Sequence, residues 1–414
     1  MSGGRTTRRS SSCVVFDVGL AAEHLPAEWA EGPLPALLAD GSAADRDRRL
    51  TYFEPRVGAS LFGTPARPAR WHLRRPADAD EPAVEAMELL RVPAAAGLPD
   101  RDAGLCVLHV RLGDDPLAEL AALAALPTDH ARLAKLLPRG VRVADGASRA
   151  WTLAHVTFPQ GPPPTVMPAA YASWSTPDQW LWLLASRSPL ERFAPDPEDT
   201  DLLAGRVRFS ADWQALVLRD GAAFVGLSPD PGGEETFHAT AAHLVHTIYL
   251  DVFLLGRLQH LGANSLANTG SALTVRESDA KRLLRLEGRL IELRRALWSS
   301  HITSRGKANE LLERFQEQHR LDQLLAHTGT GLAETARYVE AARSRRTSVA
   351  LGLLSAVGLP FGVAYAAGAL WGTPGPWTLL VTTVVALLLT ITAFVLLPSL
   401  RGLVSDTVWD RAED

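Results

Sequence analysis

Cysteine is almost missing from this 414-residue chain. Cys13 and Cys106 are its two examples, so no disulfide framework can hold the fold, and free thiols in a reducing compartment are the default. Lysine is nearly as scarce: Lys135, Lys281 and Lys307 stand among 42 basic residues. With 32 glycines and 28 prolines, that arginine bias reads as GC-rich coding and carries no functional weight by itself. A basic domain is also lacking. The net charge of -4 argues against a dedicated nucleic-acid binder. Disorder throughout is excluded by a 47% hydrophobic content. Enzymatic signatures are missing as well: there is no G-x-x-x-x-G-K-[ST], no G-x-G-x-x-G after a strand and no G-x-S-x-G. No catalytic residue, cofactor or metal ligand is therefore expected.

The most informative absence is local. From Thr347 to Leu400, 54 residues, there is no Asp, Glu, Lys, Arg or His. A bilayer-crossing helix needs about 20 mostly apolar residues. Residues 349–370 and 377–397 each supply that length, and Gly372-Thr373-Pro374-Gly375-Pro376 between them is turn chemistry. The expectation is a transmembrane hairpin. The competing reading, a hairpin buried in a soluble core, is disfavoured because core helices rarely run so far without charge. Arg337, Arg343, Arg345 and Arg346 precede the first span and Arg401 follows the second, while the loop is uncharged. The positive-inside rule then places both termini in the cytoplasm, with Trp371 and Trp377 at the outer interface. No signal peptide competes, since Asp17 interrupts Val14-Val15-Phe16 at once.

The remainder divides by grammar. Residues 1–12 read as a polar, disordered tail and 13–236 as a cytoplasmic α/β or α+β domain. Strands are expected at 13–18, 105–112 and 151–158, a hairpin at 213–227, and helices at 117–137 and 178–185. Residues 237–346 read as a helical stalk. Within it, 238–261 is a long helix and 262–271 (GANSLANTGS) a linker. Leu283, Leu286, Leu290, Leu293 and Leu297 form a short heptad seam, and Gly329-Thr330-Gly331 is a helix interruption. Residues 275–346 hold 15 basic and 10 acidic residues, a net +5 beside the membrane. Residues 347–400 are the hairpin and 401–414 a cytoplasmic tail.

A cytoplasmic α/β domain, long helices and a helix running into a C-terminal two-span hairpin resemble the CorA-type metal ion transporter superfamily. The resemblance rests on HLVHTIYLDVFLLGRLQHL, RGKANELLERFQEQHRLDQLL and RSRRTSVALGLLSAVGLPFG, and covers roughly residues 237–400. It implies an inner-membrane homopentamer with a pore lined by the first span, and divalent cations as the transported species. Family transporters carry Gly-Met-Asn at the outer end of that span. Here Gly368-Ala369-Leu370 is the positional substitute, no Asn follows Thr347, and the loop has no acidic residue, so the filter is degenerate.

Three further patterns admit two readings each. Gly352, Ser355, Gly358, Gly362 and Ala366 form a small-residue row that either lines a pore or packs helix against helix. His243 and His246 with Asp251 could approach a metal, but the five-residue step from His246 to Asp251 turns them apart, so ordinary polar helix residues are expected. Asp114-Asp115 could hold a regulatory cation, but an N-cap is the plainer role. Two functions follow. The first is a CorA-like oligomeric divalent-cation channel or transporter homologue with a degenerate filter. The alternative is a membrane-anchored sensor or effector of an actinobacterial conflict (antiphage) system without selective ion transport. Lipid bilayer and homo-oligomer are the expected partners, with no nucleic acid.

Overall fold

Among the described residues ten strands share one sheet, and the longest, β1 (Arg9–Leu20), runs through its middle. The computed structural model describes residues 9–35, 43–75, 83–98, 102–146, 149–158, 161–228, 237–272, 280–299, 301–370, 375–377, 380–381, 383–385 and 388. The other strands are β2 (Ala30–Glu31), β3 (Gly63–Thr64), β4 (Arg67–Pro68), β5 (Arg70–Arg74), β6 (Ala83–Arg91), β7 (Ala103–Arg111), β8 (Val141–Val143), β9 (Trp151–Thr157), β10 (Arg206–Arg208), β11 (Trp213–Val217) and β12 (Gly221–Gly226). The order is β10-β11-β12-β9-β1-β7-β6-β5-β2, with β8 sharing an edge of β1 and β3–β4 forming a separate ribbon. Within that sheet every pair is antiparallel except β12 with β9.

The helices are α1 (Ala43–Thr51), α2 (Pro55–Phe62), α3 (Pro116–Ala124), α4 (His130–Leu136), α5 (Thr176–Ser186), α6 (Phe237–Leu244), α7 (Leu250–Ser271), α8 (Ala280–Leu297), α9 (Gly306–His319) and α10 (Leu321–Leu370). Chain contacts divide into two units: Met1–Ser271 with Leu286–Gly329, and Ala272–Arg285 with Thr330–Asp414.

In the first unit the sheet is covered on both faces, which is why β1 reads as an almost unbroken apolar run. Alternation sorts its side chains. Val14, Phe16, Val18 and Leu20 join Leu108, Met87, Ala154, Leu120, Leu123 and Leu184 in one apolar cluster. Cys13, Val15 and Asp17 point the other way, toward α7, where Arg257 donates to Asp17 at 2.8 Å. The strands expected at 13–18, 105–112 and 151–158 are β1, β7 and β9, and the expected hairpin is β11–β12. Asp115 is an N-cap: its side chain accepts from Ala118 N.

Several expectations need correction. Residues 9–12 are not a free tail: Ser10 and Ser12 are buried, and β1 pairs with β9 from Arg9 onward. The expected helix at 117–137 breaks at Leu126–Thr128, where Asp129 caps a new helix by accepting from Arg132 N. Residues 262–271 are not a linker but the end of α7. Leu266 is buried there and Ser265 Oγ donates to Gly97 O, so tertiary contact overrides weak propensity. Gly329-Thr330-Gly331 does not interrupt α10, which runs unbroken from Leu321 to Leu370. Thr328 and Thr335 each donate to the carbonyl four residues back.

The second unit contains the first expected span, inside α10. Large apolar side chains described within that span and after it are exposed: Leu351 and Tyr365, then Trp377, Leu380, Val381, Val384, Val385 and Leu388. Most of the second expected span, 377–397, and all of 401–414 lie outside the described residues. Among the described residues, length and apolarity alone mark Phe237–Ser271 as able to cross a membrane, but 72% of its most apolar window is buried, which makes it a core helix.

Candidate metal centre

The α7-facing side of the sheet should be apolar, yet charges and imidazoles cross it. Cys13 on β1 and His109 on β7 are direct cross-strand partners, so their side chains leave the same face side by side. A third group descends from above. Between α6 and α7 the helix loosens into a π-turn, Val245–Tyr249, which carries His246. There i→i+5 bonding replaces i→i+4, so residues five apart stack. His246 and Asp251 both reach the sheet, but at different partners: His246 meets Cys13 and His109, whereas Asp251 meets Arg49 and Arg70 and is no part of the thiol–imidazole group. Cys13 Sγ lies 3.3 Å from His246 Nδ1 and 3.6 Å from His109 Nδ1, and the two Nδ1 atoms are 3.0 Å apart. All three residues are buried.

The far sides of both rings are anchored. His109 Nε2 lies 3.0 Å from Glu88 Oε1, and His246 Nε2 lies 2.8 Å from Ser11 Oγ. Glu88, on β6, belongs to a buried ion network. Arg70 on β5 donates to its two oxygens at 2.7 and 2.9 Å, and Leu34 N donates at 2.8 Å. Arg70 also donates to Asp251 at 2.5 Å. Arg49 on α1 forks onto Asp251 at 2.6 and 2.8 Å, gives its third bond to Leu34 O, and stands 3.6 Å from Glu88. Arg70, Glu88 and Asp251 have no exposed surface. Two guanidinium and two carboxylate groups balance, which is the condition for keeping charges so deep.

Electrostatics follow from burial and these neighbours. Burial pushes Glu88 upward, but Arg70 and then Arg49 outweigh it and hold the carboxyl well below the usual range. Burial, reinforced by Glu88, pushes the Cys13 thiol well up. Burial and then His109 push His246 well down. His155, the β9 partner of Ser11, is pushed down to about 3 by burial and then by His238, and its Nε2 has no hydrogen bond among the described residues. His238 Nε2 lies 2.9 Å from Ser228 O, outside the centre.

Chemically, a thiol and two imidazoles converging this closely can hold an ion or share protons. They are sealed from bulk solvent, with a small depression lined by Arg48, Arg49, His243, Leu244, Thr247 and Ile248 beside the π-turn. Such a site suits a resident group better than a turned-over substrate.

The site residues expected from sequence stand elsewhere. Gly352, Ser355, Gly358, Gly362 and Ala366 are exposed along α10, and a Cβ at any of the three glycines would meet nothing within 4 Å. Gly368, Ala369 and Leu370 form its last turn, and their side chains lie outside the described residues. Sequence reading weighed His246 and Cys13 separately and missed His109, Glu88, Arg70 and Arg49. The available signal was polar residues at inward positions: His109 within LCVLHVRL and Glu88 within VEAMELL. No protein-family model, curated protein or solved structure matches this chain.

Proposed function

We propose that the chain is a two-span membrane protein of CorA-like architecture, assembled as an oligomer. Its sheet unit acts as a cytoplasmic sensing or partner-binding module, and its degenerate filter does not select Mg²⁺. One observation carries the membrane reading. The 54-residue charge-free run coincides with large apolar side chains that stand exposed on the single chain, from Leu351 to Leu388. Water does not tolerate such a surface, whereas lipid or neighbouring spans do. The exposed small-residue row on α10 supports close helix–helix approach between copies. Backbone carbonyls, side-chain oxygens or charged rings give a pore its selectivity, and Gly368-Ala369-Leu370 offers backbone carbonyls alone. The sealed centre and the missing catalytic motifs support a non-enzymatic role.

The test joins topology to flux. A cysteine placed at Thr373 in a Cys13→Ser/Cys106→Ser background should react with an impermeant thiol reagent from outside intact cells. In proteoliposomes the purified wild type should show no Mg²⁺-selective uptake. Labelling from the cytoplasmic side alone would reverse the topology, and Mg²⁺-selective flux would restore a plain transporter.

A further inference from the structure

We propose that Cys13, His109 and His246 bind one zinc ion, through Sγ and the two Nδ1 atoms. This inference is independent of the membrane reading, because it rests wholly within the sheet unit.

The first argument is metric. Zinc bonds of about 2.3 Å to sulfur and about 2.0–2.1 Å to nitrogen, at tetrahedral angles, place S and N about 3.6 Å apart and two N atoms about 3.3 Å apart. The observed edges are 3.6 and 3.3 Å to sulfur and 3.0 Å between nitrogens. Three corners of a tetrahedron are thus in place, within the few tenths of an ångström expected before an ion draws them together. The fourth corner falls to water, as in three-ligand zinc sites.

The second argument is the tautomer. Glu88 takes two guanidinium bonds from Arg70 and one from Leu34 N, so it is an ionised acceptor. His109 must then donate at Nε2, which leaves Nδ1 as a bare lone pair aimed at Sγ and at the second ring. The pairing of a carboxylate with the outer nitrogen of a ligating histidine is the usual way such a ring is fixed and made more basic. Ser11 Oγ fixes the other ring at its own outer nitrogen. Where Ser11 Oγ accepts from His246 Nε2, a second inward lone pair lies 3.0 Å from that of His109 and a cation between them removes the repulsion; where Ser11 donates instead, His246 Nδ1 donates to His109 Nδ1 and the pair is satisfied without an ion.

The third argument is support. Two ligands stand opposite each other on central strands, and the third sits on a π-turn, a distortion that recurs at functional sites. The four charges of the surrounding network cancel, so the ion has only the thiolate to partner it, and binding releases the thiol proton. The competing arrangement is a metal-free one in which the thiol proton and one imidazole proton bridge the same three atoms.

Cobalt(II) and zinc binding to the purified full-length protein decide between them. After chelator treatment and dialysis, the wild type should take up one zinc per chain. Cobalt should give tetrahedral d–d bands with a thiolate-to-cobalt charge-transfer band. Cys106, on the opposite, apolar face of the sheet, is an internal control, and Cys106→Ser should leave both signals intact. Cys13→Ser should abolish the charge-transfer band. Glu88→Gln, which keeps an acceptor near His109, should weaken zinc binding roughly 10–100-fold. The proposal is overturned if the folded wild type takes up no zinc, if the charge-transfer band survives in Cys13→Ser, or if copper(I) binds stoichiometrically while zinc is excluded. Because wild type and Cys106→Ser both keep the whole site, misfolding of Cys13→Ser alone cannot mask the result.

Discussion

Replacing Arg70 by Met tests whether the buried ion network holds the sheet unit together. Arg70 has no exposed surface and makes three charged hydrogen bonds, two to Glu88 and one to Asp251. Met fills much of the same volume, so the cavity contribution is small and the electrostatic loss dominates. Without Arg70 the core holds one guanidinium against two carboxylates. Three charge-assisted bonds at about 1.5–3 kcal/mol each set an upper range. Arg49 already forks onto Asp251 and, at 3.6 Å from Glu88, can close on it, while Glu88 keeps Leu34 N and His109. The expected net loss is therefore about 3–5 kcal/mol, typical of an orphaned buried charge. Glu88→Gln alone should cost a similar amount, because it leaves two guanidinium groups facing one carboxylate. The double variant Arg70→Met/Glu88→Gln restores neutrality around the intact Arg49–Asp251 fork. It should cost about 2–3 kcal/mol less than the sum of the singles. Denaturant unfolding of the detergent-solubilised full chain, followed by tryptophan fluorescence with chelator present throughout, gives these numbers without any contribution from bound metal. Arg70→Met within about 1 kcal/mol of wild type, or additive losses in the double, would refute the account.

Two other outcomes follow from local geometry. His260 and His319 stack with centroids 4.5 Å apart; burial and then Arg257 hold the first down to about 4, and burial and then His260 hold the second down to about 3. The unfolded chain takes up these protons near pH 6.5, so both groups contribute stability above that pH. That contribution falls progressively as pH drops toward 4 and then 3. Discounted for partial exposure, the loss is about 1–3 kcal/mol, and His319→Phe should flatten the pH profile of the unfolding midpoint. Gly221→Ala would place a Cβ 2.7 Å from Thr152 O and 2.9 Å from Ala185 O, so about 1–3 kcal/mol should be lost, whereas Gly288→Ala on α8 meets nothing within 4 Å and should gain about 0.5–1 kcal/mol in the same unfolding assay.

Particular residues show why some of this fold was legible in sequence and some was not. β1, β7 and β9 announce themselves because CVVFDV, LCVLHVRL and WTLAHVTF concentrate branched and aromatic residues between breakers. The end of α7 did not, because Gly262 and Asn264 have poor helix propensity. Gly262 is needed where Leu293 Cδ1 would lie 2.5 Å from an added Cβ, a contact no local window contains. The candidate site is harder still. Cys13, His109 and His246 are 96 and 137 residues apart in successive steps, and only the β1–β7 register and the π-turn bring them together. A regular α-helical period puts His246 and Asp251 on different sides. The π-turn changes that period at one place, and periodicity analysis assumes that it does not change.

The network also explains how a sheet with apolar residues on both faces keeps one register. Exchanging one branched residue for another across β6 and β7 changes packing little, so Leu89, Leu90, Val107 and Leu108 alone discriminate weakly between neighbouring alignments. Glu88 discriminates strongly. A one-residue slip of β6 would turn its carboxylate to the face that Leu108, Met87 and Leu120 fill, and leave Arg70 and His109 without their acceptor. A buried unpaired carboxylate costs several kcal/mol, more than the apolar face could recover by re-packing. Arg49 and Leu34 extend the same constraint to α1 and the loop after β2, and Asp251 extends it to the helix that carries His246. Charge pairing thus selects the one alignment in which a thiol and two imidazoles meet, and the distances at that meeting follow from the register it imposes.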